Sequence, residues 1–310
     1  MRVLFWGTPE FAVPPLRALI GEGFDVVGVV TQPDKPLGRS RSKVEPPPVK
    51  EIALAESVPV LQPEKPKGDE FLAEIKALEP DISVVVAYGH ILPTAVIDLP
   101  RLGTLNIHAS LLPALRGAAP IQAAIRDGLD ETGVTIMRMV KALDAGPIVL
   151  QAKTPIPNDE TYGELQLRLA EMGALALIEA LALIDLGKAV ETPQDDAKAT
   201  YAHKIEREHT LIDWTADAPV VSRMIRAYDP KPGARTNAAS GEVKLFGARL
   251  APRTVDRPAG EVVSIDADGL TVACGVGAVR IANVHPAGKR RITPLEWANG
   301  RGITTGERLF

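Results

Sequence analysis

Two hydrophobic patterns alternate over the first half of the chain. Short runs rich in Val and Ile are followed by longer stretches in which apolar residues recur three and four positions apart, which is typical of a parallel sheet with helical crossovers. The predicted strands cover 3–6, 24–31, 82–87, 105–108, 133–139 and 148–153, and the predicted helices 11–20, 49–56, 69–78, 120–127 and 161–186. We therefore expect an α/β fold with a Rossmann-like, mostly parallel sheet and helices on both faces.

The pattern changes beyond residue 203. Residues 187–203 are polar and contain Pro193, so they are predicted to connect two domains. After one predicted helix, the short alternating runs of a small antiparallel, OB-like β-barrel follow at 242–250, 261–265, 270–273 and 278–284. The predicted domains are 1–187 and 206–310, with a linker over 188–205.

One predicted strand places two polar side chains on a single face. Side chains alternate along a strand, so Asn106 and His108 project to one side while Leu105 and Ile107 project to the other. An edge strand with a hydrogen-bonded histidine explains this pattern equally well. Asp144, in the loop after the next strand, adds a third group. We therefore predict that Asn106, His108 and Asp144 form a catalytic set.

This set suits direct acyl transfer between two bound substrates. Ser110 lacks the flanking glycines of a nucleophile elbow, which disfavours acyl-enzyme chemistry. Direct transfer needs a donor to the developing oxyanion and a group that moves a proton. Asn106 can be the donor, and His108 can stabilise the oxyanion or relay protons. The sequence leaves open whether Asp144 orients the imidazole, supports its charge or accepts a proton through water.

Several other classes lack their sequence signals. The single cysteine, Cys274, excludes an internal disulfide, and the five histidines show no zinc-binding spacing, so no metal site is predicted. Neither a Gly-x-Gly-x-x-Gly fingerprint nor a Gly-x-x-x-x-Gly-Lys-Ser/Thr loop is present, so neither a dinucleotide site nor nucleotide triphosphate chemistry has support. The amino-terminal run lacks the features of a signal peptide, and no stretch approaches the ~20 apolar residues of a membrane span. We expect a cytoplasmic protein without membrane contact.

Charge divides unevenly along the chain. The formal net charge is −4, made up of −7 over residues 1–205 and +3 over 206–310. The basic excess of the second part hints at a polyanionic partner, although an ordinary solvated surface explains it equally well. A second basic feature lies in residues 32–48, where prolines forbid regular structure. This segment is predicted to be a long exposed loop, either functional or a linker without a role, and its basic residues are Lys35, Arg39, Arg41 and Lys43.

Several motifs resemble a known family. The run 106–113, followed by Arg116-Gly117 and Pro120 and by 143–146, resembles the folate-dependent formyltransferases. The resemblance extends over essentially the whole chain to the branch whose acceptor is methionyl-tRNA, through segments 5–11, 31–34, 86–89, 116–122, 131–137, 212–214, 226–228, 231–234 and 285–289. Two departures stand out. Ala109 replaces the expected glycine, and Leu143-Asp-Ala-Gly-Pro147 replaces Leu-Asp-Thr-Gly-Asp, which leaves Asp144 in place.

The resemblance implies a reaction and its participants. A formyl group would pass from 10-formyltetrahydrofolate to the amino group of methionyl initiator tRNA, in translation initiation, with Asn106, His108 and Asp144 as the catalytic set. The basic loop would contact the tRNA acceptor end and the barrel would bind the tRNA body. The implied folate-site residues are Ser110, Leu111, Leu112, Pro113, Tyr88 and Gly89. We expect a monomer, without a metal ion.

Two alternatives make different predictions. Formyl transfer to a small amine, such as a glycinamide nucleotide or an amino sugar, would need neither the basic loop nor the barrel. A catalytically dead scaffold with an RNA-binding barrel would predict decay of the catalytic set, whose three residues are all present. Lys231 and Arg235 are further candidates for tRNA contacts, whereas Trp214 is expected to pack between domains.

Overall fold

A seven-stranded sheet organises the first part of the chain in the computed structural model, which describes residues 1–37, 43–251 and 256–310. Its strand order is β10-β9-β7-β6-β1-β2-β5. The strands up to the second domain are β1 (Arg2–Gly7), β2 (Asp25–Val30), β3 (Lys35–Leu37), β4 (Lys43–Glu45), β5 (Val60–Leu61), β6 (Ile82–Val86), β7 (Thr104–His108), β8 (Arg116–Gly117), β9 (Glu131–Arg138), β10 (Ile148–Pro155) and β11 (Tyr201–Ala202). The pairs from β5 to β7 are parallel, and β9 joins β7 in the antiparallel sense, so the predicted mostly parallel sheet is confirmed.

Helices cover both faces of this sheet, as predicted. Phe71 and Ile75 of one helix share a buried cluster with Trp6 on one face. On the opposite face, Gly173 of a long helix lies beside Ile107. The helices are α1 (Val13–Gly21), α2 (Pro48–Ala55), α3 (Asp69–Ala77), α4 (Thr94–Ile97), α5 (Pro120–Arg126), α6 (Tyr162–Asp185), α7 (Ala218–Ala227) and α8 (Pro294–Asn299). None of the helices in the described residues is long and apolar enough to cross a membrane.

Proline and capping residues set several helix starts. Proline occupies one of the first two positions of α1, α2, α5, α7 and α8. A proline there loses no helical hydrogen bond, because the first N–H groups of a helix have no partner within it. At α8, Thr293 and Glu296 form a reciprocal capping box.

The basic segment corrects one expectation. It was predicted to lack regular structure, but β3 and β4 pair as a short antiparallel ladder, with Pro36 opposite Val44. A proline can lie in an edge strand, where its missing N–H costs no ladder hydrogen bond. Arg39 and Arg41 lie outside the described residues.

A five-stranded antiparallel sheet forms the carboxy-terminal part, in the order β12-β13-β16-β15-β14. Its strands are β12 (Ala234–Ala238), β13 (Gly241–Leu250), β14 (Val262–Asp266), β15 (Gly269–Ala273) and β16 (Ala278–Pro286). The antiparallel architecture was predicted, but β12 was not, and neither was α8.

Contacts divide the chain into two compact units. The first comprises Met1–Gly117, Thr132–Thr154 and Gln166–Tyr201, and the second comprises Ala118–Glu131, Pro155–Leu165 and Ala202–Phe310. Helix α5 belongs to the second unit, where the Arg223 side chain donates to the Arg126 carbonyl at 3.3 Å. His108, Asp144 and the residues that contact them lie in the first unit.

Candidate active site

His108 occupies the carboxyl end of β7, between β6 and β9 in the sheet. Its side chain is 6% exposed, whereas Asn106 on the same face is half-buried. The Nε2 atom of His108 lies 2.9 Å from the carbonyl oxygen of Leu115. A carbonyl can only accept a hydrogen bond, so Nε2 carries a proton and Nδ1 is the nitrogen left for chemistry.

Asp144 is brought to that second nitrogen by the loop between β9 and β10. Its Oδ2 lies 3.7 Å from Nδ1 of His108, an ion-pair separation that is too long for a hydrogen bond. The same oxygen accepts the backbone N–H of Gly117 at 2.8 Å. Asp144 has a positive φ of 48°, a left-handed conformation that is uncommon outside glycine. The loop therefore holds the carboxylate in a specific and slightly costly arrangement.

The segment after β7 is fixed by hydrogen bonds to β9 and β10. Thr135 donates to the Ser110 carbonyl at 2.7 Å and accepts the Leu112 N–H at 3.1 Å. Gln151 donates to the Leu112 carbonyl and to the Thr135 hydroxyl. The Ser110 hydroxyl donates to the Ala114 carbonyl at 2.6 Å, so it serves the turn. The roles of Thr135 and Gln151 were not predicted from the sequence, because no local pattern indicates which distant groups their side chains bind.

Tyr88 and Gly89 follow β6, the strand beside β7. The Tyr88 ring is 1% exposed and packs edge-on against Trp6, and burial raises the pKa of its hydroxyl to about 12. The Tyr88 carbonyl accepts hydrogen bonds from Thr8 and Gln32, both at 3.0 Å. Gly89 has a φ of 89° and leaves no room for a Cβ beside Gln32. The Tyr88 side chain thus belongs to the core, and Gly89 is the exposed residue of the pair.

A polar cluster lies at the start of the basic segment. The Asp34 carboxylate accepts from Gln62 at 2.7 Å and pairs with Lys50 at 2.7 Å. The Gln62 hydrogen bond, followed by Lys50, lowers the pKa of Asp34 below its ordinary value. Of the four predicted tRNA contacts, Lys35 is exposed on β3 and Lys43 begins β4, while Arg39 and Arg41 lie outside the described residues.

The second unit contains the other sequence candidates. Trp214 is 4% exposed, and its indole N–H donates to Thr236 at 2.9 Å, a contact within this unit. The Arg235 guanidinium contacts Thr210 and Glu242, which gives it a structural role. Lys231 is exposed. Among the described residues, no group of three His, Cys, Asp or Glu side chains is arranged to hold a metal ion.

Comparison with family models places both parts of the chain in one class. A model described as formyl transferase matches residues 1–181, and a model described as formyl transferase, C-terminal domain, matches residues 204–302. Both parts of the chain therefore match formyl transferase domains.

Relatives that match over their full length identify one family within the formyl transferases. Methionyl-tRNA formyltransferase from Moorella thermoacetica is 45% identical over 309 residues, which cover 100% of this chain and 99% of the relative. The enzymes of the same name from Methylococcus capsulatus and Thermotoga maritima are 47% and 46% identical, over 100% of this chain and 99% and 98% of theirs. The chain belongs to the methionyl-tRNA formyltransferase family.

Solved structures share the fold at lower identity. HypX from Aquifex aeolicus, in complex with tetrahydrofolic acid, is 21% identical with a TM-score of 0.68, covering 96% of this chain and 46% of its own. This chain therefore spans about half the length of HypX. WlaRD, described as a sugar 3N-formyl transferase, is 18% identical with a TM-score of 0.66, covering 94% of this chain and 99% of its own. At these identities the likeness concerns the fold alone.

Proposed function

We propose that this enzyme transfers the formyl group of 10-formyltetrahydrofolate to the α-amino group of methionyl initiator tRNA. The observation that carries the proposal is the pairing of His108 Nδ1 with Asp144 Oδ2 at 3.7 Å. His108 lies on the same strand as Asn106, and Asp144 reaches it from a loop. The names of its full-length relatives support the tRNA acceptor. The enzyme acts in translation initiation, in the cytoplasm and as a monomer.

The reaction begins with attack by the neutral amine. Its lone pair forms a bond to the formyl carbon, and the formyl oxygen takes up the displaced electron pair as an oxyanion. The bond from that carbon to N10 of the folate then breaks, N10 takes a proton, and the new amide nitrogen loses one. Asn106 donates an N–H to the oxyanion, and the loss of one such donor typically costs ~10²–10³ in rate.

His108 and Asp144 divide the remaining work. Because Nε2 of His108 is engaged by Leu115, the imidazole orientation is set before substrate binds. Positive charge that develops on this ring faces the Asp144 carboxylate and lies near the oxyanion. Nδ1 of His108 takes the proton that the amine nitrogen loses and passes it to N10, and Asp144 assists this transfer by stabilising the intervening imidazolium.

Each domain has its own substrate. In the catalytic domain over 1–187, Ser110 to Pro113 and the adjacent Tyr88–Gly89 segment bind folate. Residues 206–310 bind the tRNA body through their basic surface, and 188–205 link the two domains. The acceptor end is bound by Lys35, Arg39, Arg41 and Lys43, whose charges favour phosphates irrespective of sequence.

The test is a formylation assay of the purified full chain with 10-formyltetrahydrofolate. Charged initiator tRNA, free methionine and a glycinamide nucleotide are offered as acceptors in parallel. We expect transfer to the tRNA alone. Transfer to a small amine would refute the acceptor assignment, and no transfer to any acceptor would refute the reaction.

The basic segment gives a second prediction. Arg39→Ala should raise KM for methionyl-tRNA by about tenfold, the scale of one lost phosphate contact, while KM for folate stays the same. Arg17→Ala is the matched control, because it removes the same charge from an exposed position on α1. An equal loss of affinity for folate and tRNA would contradict the assigned role of Arg39.

A further inference from the structure

The segment after α6 is fixed to the first unit over residues 191–196. Thr192 exchanges two backbone hydrogen bonds of 2.8 Å with Ile148, the first residue of β10. Glu191 pairs with Arg138 at 2.7 Å. These contacts bring Gln194, two residues further on, beside the loop that contains Asp144.

Gln194 uses every polar atom of its side-chain amide. Its Nε2 donates to the carbonyls of Asp144 and Gly146, both at 2.8 Å. Its Oε1 accepts from Nε and Nη2 of Arg116, at 3.1 and 2.8 Å. An amide offers two N–H donors and two acceptor sites, so this arrangement satisfies glutamine fully. Glutamate, which donates nothing when ionised, could not form it.

These contacts close a ring of interactions around the Asp144 backbone. Arg116 precedes Gly117, whose N–H binds the Asp144 carboxylate at 2.8 Å. The Asp144 side chain is thus bound to the Gly117 N–H, and the Asp144 carbonyl is bound by Gln194, which in turn contacts Arg116, the residue before Gly117. The loop is closely packed at Gly146, since a Cβ there would collide with the Arg138 carbonyl. Gln194 with Arg116, Asp144 and Gly146 is called the Gln194 brace below.

We propose that Gln194 is a positioning residue for formyl transfer: Gln194 holds Asp144 in its left-handed conformation so that the carboxylate faces His108. This inference rests on the proposed function, because the catalytic role of Asp144 is itself part of that proposal. Gln194 does not touch the reacting atoms. It acts by raising the population of loop conformations in which the carboxylate is aligned.

The test compares three variants of the full chain. Gln194→Leu removes the four hydrogen bonds to Arg116, Asp144 and Gly146, and Gln194→Glu keeps the Arg116 contact but loses both donors to the loop. Asp196→Asn is the matched control, because Asp196 is 82% exposed and pairs with the same Arg116 without contacting the loop. For both Gln194 variants we expect kcat to fall about fivefold to thirtyfold, the scale of one or two ordinary hydrogen bonds. KM for folate and for tRNA should change by less than a factor of two, a separation that general damage to the fold would not produce.

A second readout is independent of activity. The Gly117 amide proton is bound to the Asp144 carboxylate, so its hydrogen exchange should be about tenfold faster in both Gln194 variants and unchanged in Asp196→Asn. Unaltered kcat in Gln194→Leu would overturn the proposal, as would a lower kcat with unaltered Gly117 exchange. Should Gln194→Leu fail to fold, Gln194→Glu decides by the same two criteria. If the wild-type chain formylates nothing, the proposed function fails, and the exchange measurement still tests whether the Gln194 brace holds the loop.

Discussion

Replacing Asp144 with Asn isolates the contribution of one charge. The change removes a negative charge 3.7 Å from Nδ1 of His108 but conserves the size of the side chain. The Asn carbonyl oxygen can still accept the Gly117 N–H that the carboxylate accepts now. The loop should therefore keep its conformation, and the effect on catalysis should be electrostatic.

The structure sets the magnitude of this effect. Two unit charges at that separation attract by about 4.5 kcal/mol at an effective dielectric constant of about 20. The His108 and Asp144 side chains are 6% and 14% exposed, so solvent screens the pair little. Only the part that grows between ground state and transition state affects the rate. We expect kcat to fall about 10²–10³-fold, which corresponds to roughly 3–4 kcal/mol.

The assay is steady-state formylation of methionyl initiator tRNA, in which each substrate is varied in turn while the other is saturating. KM for both substrates should stay within about threefold and the melting temperature within about 2 °C, because no contact of the fold is lost. Asp196→Asn is the control, since it neutralises a carboxylate of the same unit that is 82% exposed. A loss smaller than about fivefold would refute the electrostatic role of Asp144. A loss accompanied by a large drop in melting temperature would show that the residue is structural.

Two further predictions concern stability. Gly146→Ala should cost about 1–3 kcal/mol in urea unfolding, because its Cβ meets the Arg138 carbonyl, whereas Gly21→Ala, with open space around it, should not destabilise the chain. A neutral Gly146→Ala would show that the loop yields. Burial raises the pKa of Asp229 despite Arg291 nearby, so the folded chain holds that proton more tightly than the unfolded chain, and ionisation costs stability as pH rises. Asp229→Asn should therefore raise the melting temperature at pH 7 and lose this advantage below pH ~4; a gain that is equal at both pH values would contradict the reasoning.

Elements with a strong local period could be predicted from the sequence. The alternation that predicted a strand over 133–139 corresponds to β9, and the Ala/Leu-rich stretch corresponds to α6. Strand β12 was missed because Ala234–Ala238 carries little apolar character of its own. Its register is imposed by β13, where Asn237 lies opposite Glu242. Tertiary pairing decides such short strands more than intrinsic preference does.

The candidate site divides in the same way. Asn106 and His108 could be predicted because alternation along one strand places them on a common face. Asp144 could be proposed as a member of the set from the sequence. The contacts that fix it could not, because Gln194 is 50 residues away in the chain and occurs in a polar segment that was interpreted only as a linker. No local pattern signals a side chain that binds a distant backbone carbonyl.

The two halves of the candidate site differ in how tightly they are held. Asn106 and His108 belong to a strand with ladders on both sides, to β6 and to β9. Asp144 belongs to a loop, and its position depends on side-chain contacts. A displacement of the carboxylate from 3.7 Å to about 4.7 Å would weaken its attraction to an imidazolium by about 1 kcal/mol at the same dielectric constant, or about fivefold in rate. The turnover rate should therefore be most sensitive to substitutions that loosen the Asp144 loop. Equally conservative substitutions near β7 that keep its ladders and leave Asn106 and His108 unchanged should have a smaller effect.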